Sequence, residues 1–282
     1  MKKLFLLLLF FYVILTIPAL TSIPVFADEA IYIRWAQLIL SDPQQYLFFS
    51  LNDGKTPLFI WLLTPFLRIF SDPLMAGRAL SVCVGAGQVM AVVMLAQTIK
   101  LSKQTQLFSG MLAASLPIFL IHNRLAVMDG LLTLLVTLSA LFFLRYTQYL
   151  SSNKLSITRA YICSRWLWMA AGCFFLALMS KLTAVIAFPV VVLIGFFPFK
   201  FSSRGMQQWL LVGALFGGIS MGLFSLLALH PISPSFFHEE VIFCAPSARF
   251  FTHRLCIEAL ATCVLYSLYS GSTSLPDFLS YW

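Results

Sequence analysis

The chain is predicted to be all-α: a polytopic transmembrane bundle of about seven to eight spans, with interfacial helices in its first outer loop. Composition is the first observation behind this. Of 282 residues, 60% are hydrophobic and 10% are charged, and mean hydropathy is +0.92. A soluble domain carries about 25% charged and about 45–50% apolar residues. That balance excludes a soluble globular enzyme, a disordered chain and a nucleic-acid binder. Long charge-free runs are the second observation, and the separation of basic from acidic residues along the chain is the third. The 28 phenylalanines suit lipid-facing helices.

The runs follow in order. Residues 4–27, 79–99, 104–120, 130–144, 166–180, 182–199 and 206–229 lack charges, and a weaker run follows Leu255. Most reach or approach the roughly 20 residues a helix needs to cross about 30 Å of hydrocarbon. Read alone, the N-terminal run fits either a signal peptide cleaved after Val25-Phe26-Ala27 or a retained first helix. The six cysteines show no CxxC pair; Cys83 and Cys173 fall inside apolar runs and read as small core residues. Gly213, Gly217, Gly218 and Gly222 form a small-residue stripe, most simply a helix-packing face.

Residues 57–70 decide the topology. This apolar segment has only 14 residues and contains Pro65 and Arg68, so it reads as interfacial. With the N-terminus cytoplasmic, Lys2, Lys3, Lys100, Lys103, Lys154, Arg159, Arg165, Lys200 and Arg204 then share the cytoplasmic side with no acidic residue among them. The net charge of +8 has two readings, an anionic partner or this positive-inside bias, and the second is simpler. Asp28, Glu29, Asp42, Asp53, Asp72 and Asp129 all fall on the outer side, with Arg34, Lys55, Arg68, Arg78, Arg124 and Lys181. Chemistry is therefore expected on the exoplasmic face of a multi-pass protein of the cell membrane.

The first outer loop, residues 27–75, opens with Asp28-Glu29. Ile31, Trp35, Leu38 and Ile39 share a helical face, which suggests a helix along the interface with Trp35 in the aromatic belt. Asp42-Pro43 breaks it, and Asn52-Asp53-Gly54 signals a turn before Lys55. A carboxylate where a span emerges is partly desolvated, which raises its pKa toward general-base values. The alternative is an acidic pair that only marks a helix end. Lys55, ahead of an apolar helix, suits a phosphate site or a snorkelling lysine. Arg124 and Asp129 lie in a short loop between apolar runs, where ionisable groups pair with each other or serve a site. His122 beside them reads as a polar loop residue. Lys181 splits a long apolar stretch at a tight outer turn and either holds an anion or snorkels. No nucleotide-binding loop, HExxH or GxSxG motif is present, so an anionic lipid-linked substrate fits better than a nucleotide.

The ordered set of pieces carries a resemblance. It consists of Asp28-Glu29-Ala30-x-Tyr32, Asp53-Gly54-Lys55-Thr56-Pro57-Leu58-x-x-Trp61-Leu62, Gly77-Arg78-Ala79-Leu80-Ser81, Asn123-Arg124-x-x-x-Met128-Asp129 and Ser180-Lys181-Leu182-Thr183. The set resembles the GT-C glycosyltransferases that use polyprenyl-phosphate sugars, in particular bacterial relatives of the dolichyl-phosphate-mannose protein mannosyltransferases and of the lipid A aminoarabinose transferase. The resemblance favours an uncleaved first helix. It implies inverting transfer from a polyprenyl-phosphate-linked sugar to a lipid, glycan or protein acceptor. It further implies Asp28 as catalytic base with Glu29 beside it, and Lys55, Arg124, Asp129 and Lys181 as substrate-binding residues. No cofactor is expected; a divalent metal stays open as an alternative, although no ligand cluster demands one. Thr56-Pro57 stands where the family usually has Pro-Pro.

The expected organisation is a transferase core over residues 1–230, followed by residues 231–282, an outer loop and a weak apolar segment. His230-Pro231-Ile232-Ser233-Pro234 resembles the start of a family outer loop, after which the pattern fades, as in a C-terminally truncated member. The competing readings are a non-catalytic fragment of such an enzyme and a transporter or flippase. Against the last, the spans lack charges near their middles and no internal repeat is visible.

Overall fold

The computed structural model describes residues 2–152, 162–199 and 203–226. Among them the elements are all helices, without a strand. In chain order the helices are α1 (Lys2–Thr16), α2 (Ala27–Ser41), α3 (Pro43–Tyr46), α4 (Leu58–Ile69), α5 (Pro73–Thr98), α6 (Lys103–Ser115), α7 (Pro117–Arg124), α8 (Met128–Ser152), α9 (Arg165–Ser180), α10 (Ala184–Ile194) and α11 (Ser203–Ser225), with a 3-10 turn at Phe49–Asp53. Residues 231–282 and the run after Leu255 lie outside the described residues.

Among the described residues, three to four of the expected seven to eight spans are evident. Three helices, α5, α8 and α11, are long and apolar enough to cross a bilayer. A fourth span exists if α6 and α7, bent by 54° at Leu116-Pro117, act as one. The remaining apolar helices are short: α4 has 12 residues, α9 has 16 and α10 has 11. The N-terminal run yields only 15 helical residues in α1, which stops two residues ahead of Pro18. The expected break at Lys181 is present, since α9 ends at Ser180 and α10 starts at Ala184.

α8 is the central helix, packed between α5 and α9 and touched by α10. α11 joins through Phe216, whose ring lies 4.7 Å from Phe143, 5.4 Å from Phe174 and 5.6 Å from Phe188. The glycine stripe is only half used. A Cβ at Gly217 would come 2.8 Å from Phe188 and one at Gly213 3.1 Å from Val192, so these two let α11 approach α10. Gly218 and Gly222 face open space. Cys83 is exposed on α5, not a core residue.

The first outer loop folds onto the bundle. α2 packs on α4 and α5, and so its apolar face has a protein partner in place of the interface. Tyr32, Ile33, Trp35, Ala36 and Ile39 are buried, whereas Ile31 is 39% exposed. Trp35 sits in this core, 5.9 Å from the Tyr32 ring and 6.4 Å from Phe49, and not in an aromatic belt. α4 supplies Phe59, Ile60 and Leu63, all fully buried. Asp42 accepts from the Gln44 and Gln45 N–H groups and so starts α3 where α2 stops. Gly54 closes the 3-10 turn at φ 66°, a conformation glycine adopts without strain.

One buried ion pair ties α2 to the bundle. The Glu29 Oε1 and Oε2 atoms accept from Arg78 Nε at 3.0 Å and Nη2 at 2.9 Å, with both side chains fully buried. Glu29 also accepts from the N–H groups of Ala126 at 2.7 Å and Phe26 at 3.0 Å. Arg78 donates further to the carbonyls of Leu20, Ile23 and Pro24. Four chain segments meet here: the end of the α1–α2 connection, α2, α5 and the turn between α7 and α8 all bond through two side chains, while Gly77 brings α5 close to that turn. A Cβ at Gly77 would lie 2.7 Å from the Ala126 Cβ. Burial alone pushes the Glu29 carboxyl up, but the Arg78 hydrogen bonds and the two backbone N–H groups outweigh it and hold the carboxyl below its usual range. The expected rise is thus reversed at Glu29.

Removing one partner leaves a buried charge unpaired, which costs about 3–5 kcal/mol. Arg78→Ala and Glu29→Gln are each expected to lower the thermal midpoint of the detergent-solubilised chain markedly. A depressed native pKa contributes stability at neutral pH that is lost as pH falls below about 4.3. Thermal scans from pH 7 to pH 3 should therefore show an acid-side fall that is shallower in Glu29→Gln; equal slopes would remove the pair from this role.

Candidate functional site

The site lies at the end of the bundle where α2 starts, α8 starts and α9 ends. Its centre is Tyr32, 5% exposed, one turn along α2 from Asp28. Burial pushes the Tyr32 hydroxyl up, and the negative charges of Asp28, Asp129 and Asp53 push it further. The charges of three carboxylates, from α2, the 3-10 turn and the first turn of α8, therefore all act on the Tyr32 hydroxyl.

The acidic residues of the described chain divide by what they already hold. Glu29 has four hydrogen bonds and no free lone pair directed outward. Asp42 and Asp72 cap α3 and α5. Asp129 accepts from Lys181 Nζ at 2.8 Å in a pair about two-fifths exposed on each side (42% and 40%). Asp28 and Asp53 carry no hydrogen bond or ion pair among the described residues; Asp28 is half-buried and Asp53 exposed.

The cations divide in the same way. Lys181, at the end of α9, joins the site through Asp129, so these two expected residues are brought together. Lys55 is half-buried, two residues after Asp53, and its side chain is unpaired among the described residues. Its backbone N–H is fixed by the Ser50 carbonyl at 3.0 Å. The Ser50 and Thr56 hydroxyls flanking it are buried without a partner. Arg124 does not pair with Asp129. Its Nη2 donates to the carbonyls of Pro18 at 2.6 Å and Ala19 at 3.1 Å, which fixes the chain between α1 and α2. His122 Nδ1 bonds the Ile118 carbonyl one turn earlier in α7.

Arg78 is the residue that sequence reasoning left without a role. Its motif Gly77-Arg78-Ala79-Leu80-Ser81 was visible, but its partner lies 49 positions away. The usable signal is an arginine in the second turn of an otherwise apolar span, where an unpaired charge is not tolerated. Among the described residues no group of three or more His, Cys, Asp or Glu side chains could hold a metal ion.

Chemically, the arrangement offers a half-buried free carboxylate, a second carboxylate neutralised by a lysine, and an unpaired ammonium on a rigid turn. These are the parts for taking a proton from a hydroxyl and receiving an anionic group. No curated protein and no solved structure matches the chain. The family model for dolichyl-phosphate-mannose-protein mannosyltransferase matches residues 43–230, which include Lys55, Arg78, Arg124, Asp129 and Lys181 and begin after Asp28 and Glu29. With its helical apolar fold and two-thirds of its length within that match, the chain belongs to the dolichyl-phosphate-mannose-protein mannosyltransferase family.

Proposed function

We propose that this membrane glycosyltransferase of the GT-C kind moves a sugar from a polyprenyl-phosphate donor to an acceptor hydroxyl on the exoplasmic face, with inversion and with Asp28 as base. Family membership supports the reaction class and a lipid-linked donor. The observation that carries the choice of base is the unequal state of the neighbouring carboxylates. Glu29 is saturated by Arg78 and two backbone N–H groups, whereas Asp28 beside it is half-buried and unpartnered.

In this reading the acceptor oxygen attacks the anomeric carbon as its proton passes to the Asp28 carboxylate. The bond from that carbon to the phosphate oxygen breaks, and the electron pair leaves with the polyprenyl phosphate. A single displacement inverts the configuration. Lys55 receives the donor phosphate, and Lys181, shared with Asp129, adds positive charge as the leaving group develops its own. Asp129 aligns Lys181. Glu29 and Arg124 act by position: one fixes the first turn of α2, the other fixes the segment that leads into it. The exoplasmic side rests on the charge layout, with Lys100, Lys103 and Arg165 toward the opposite end of the bundle.

Asp28→Asn should lower transfer by about 10²–10⁴-fold, the span of a positioned general base. Its thermal midpoint should stay within a degree or so, because no folded-state bond is lost; unchanged turnover would remove Asp28 from the chemistry. Lys55→Ala should raise the donor KM about tenfold or more with a smaller change in kcat, the pattern of a lost charged contact. This is read by following radiolabel leaving the lipid at several donor concentrations. A donor KM equal to that of the unmodified chain would make Lys55 a surface lysine.

A further inference from the structure

The end of the bundle remote from the site carries a second charged constellation. Asp129 and Arg145 are separated by about 24 Å along α8 at 1.5 Å per residue. There the Arg145 guanidinium lies 5.2 Å from the centre of the Trp166 ring, and the Arg165 guanidinium lies 4.7 Å from the same centre. Phe142 stacks on Trp166 at 6.1 Å, and Arg145 Nε donates to Thr98 Oγ1 at 3.4 Å, which ties the group to the end of α5. Two guanidinium groups from different helices are thus held on one indole. Neither has a carboxylate partner among the described residues.

The sequence makes that lack acute. Across residues 73–238 the only acidic residue is Asp129, which is paired with Lys181 at the other end. The helices that build this corner, α5, α8 and α9, therefore have no acid of their own near it. Like charges held together without a counter-ion repel, and the ring quadrupole offsets only part of that. The surroundings are apolar and outward-facing: Ile162 is 49% exposed, Trp168 49% and Met169 41%. Arg165 also opens α9, whose first N–H groups favour negative charge nearby. An anion bound here has to have an apolar body that lies along α9 and a charged head that reaches both guanidinium groups.

We infer that Arg145, Arg165 and Trp166 form a binding site for the phosphate headgroup of an anionic membrane phospholipid, separate from the transfer site. The bundle is held at this corner by a lipid of the leaflet that the basic loops face. Charge complementarity commits the site to a phospholipid and not to a soluble anion, because the flanking surface is apolar.

The test is retention of lipid by the purified full chain in detergent, counted by native mass spectrometry after incubation with phosphatidylglycerol and phosphatidylcholine in equal amounts. The expected result is roughly tenfold or greater preference for phosphatidylglycerol, most of it lost in Arg145→Gln/Arg165→Gln and kept in Arg68→Gln. Should the double variant fail to fold, Arg165→Gln alone keeps the test open, since Arg165 is exposed; it should lose about half of the preference on a logarithmic scale. Equal retention of the two lipids, or an unchanged preference in the folded variants, would overturn the proposal. Displacement of the lipid by millimolar inorganic phosphate would overturn it too, by making the site one for a free anion. The readout needs no sugar transfer, so it stands or falls independently of the catalytic assignment.

Discussion

The buried pair of Glu29 and Arg78 is the constraint on which the outer end of this protein depends. A bare arginine in the second turn of a spanning helix is costly, and a bare glutamate on a packed helix face is equally so. Each is satisfied only by the other together with backbone groups from two other places in the chain, the α1–α2 connection and the turn into α8. Satisfying both fixes where α2 starts, how the α1–α2 segment runs, and where the turn into α8 sits. These positions in turn set where Asp28 stands in the first turn of α2 and Asp129 in the first turn of α8. The pair therefore has its effect on chemistry through geometry.

The site follows a division of labour between adjacent residues. Asp28 and Glu29 are chemically near-identical and one position apart, yet a helix turns each residue about 100° from the last. One carboxylate faces the bundle and is consumed by structure; the other faces outward and stays free. A similar split separates Arg124, spent on the carbonyls of Pro18 and Ala19, from Lys55 and Lys181, whose ammonium groups lie on turns at the rim. At the opposite end of α8 the cations outnumber any available acid, and the fold answers with an indole between two guanidinium groups. The two ends of one helix thus solve opposite charge problems.

Much of this was legible in the sequence, and the failures have physical causes. The all-α membrane class follows from composition, and the breaks at Asp42-Pro43, Asn52-Asp53-Gly54 and Lys181 follow from turn chemistry that is local. Among the described residues three to four of the expected seven to eight spans are evident, because an apolar run measures hydrophobicity, not continuous helix: Pro18 curtails the first, Pro117 bends the third, and short helices fill others. Trp35 was assigned to lipid because its periodic face is the same whether it meets lipid or protein; only the packing of α4 against it decides. The partners of Arg78, Lys181 and Arg124 were not readable, since each lies tens of residues away or on a backbone carbonyl that carries no side-chain signature.

The account's central claim is that Asp28 performs proton transfer while Glu29 holds the scaffold. The most direct measurement is rescue by a small acid. Asp28→Gly and Glu29→Gly would be assayed in membranes for loss of radiolabelled sugar from its polyprenyl-phosphate carrier, with and without added formate. The account predicts that formate restores transfer in Asp28→Gly, where the missing carboxylate leaves a solvent-reachable gap, and has no effect in Glu29→Gly, where the loss is structural. Rescue of Glu29→Gly in place of Asp28→Gly, or full turnover by Asp28→Gly without formate, would contradict it.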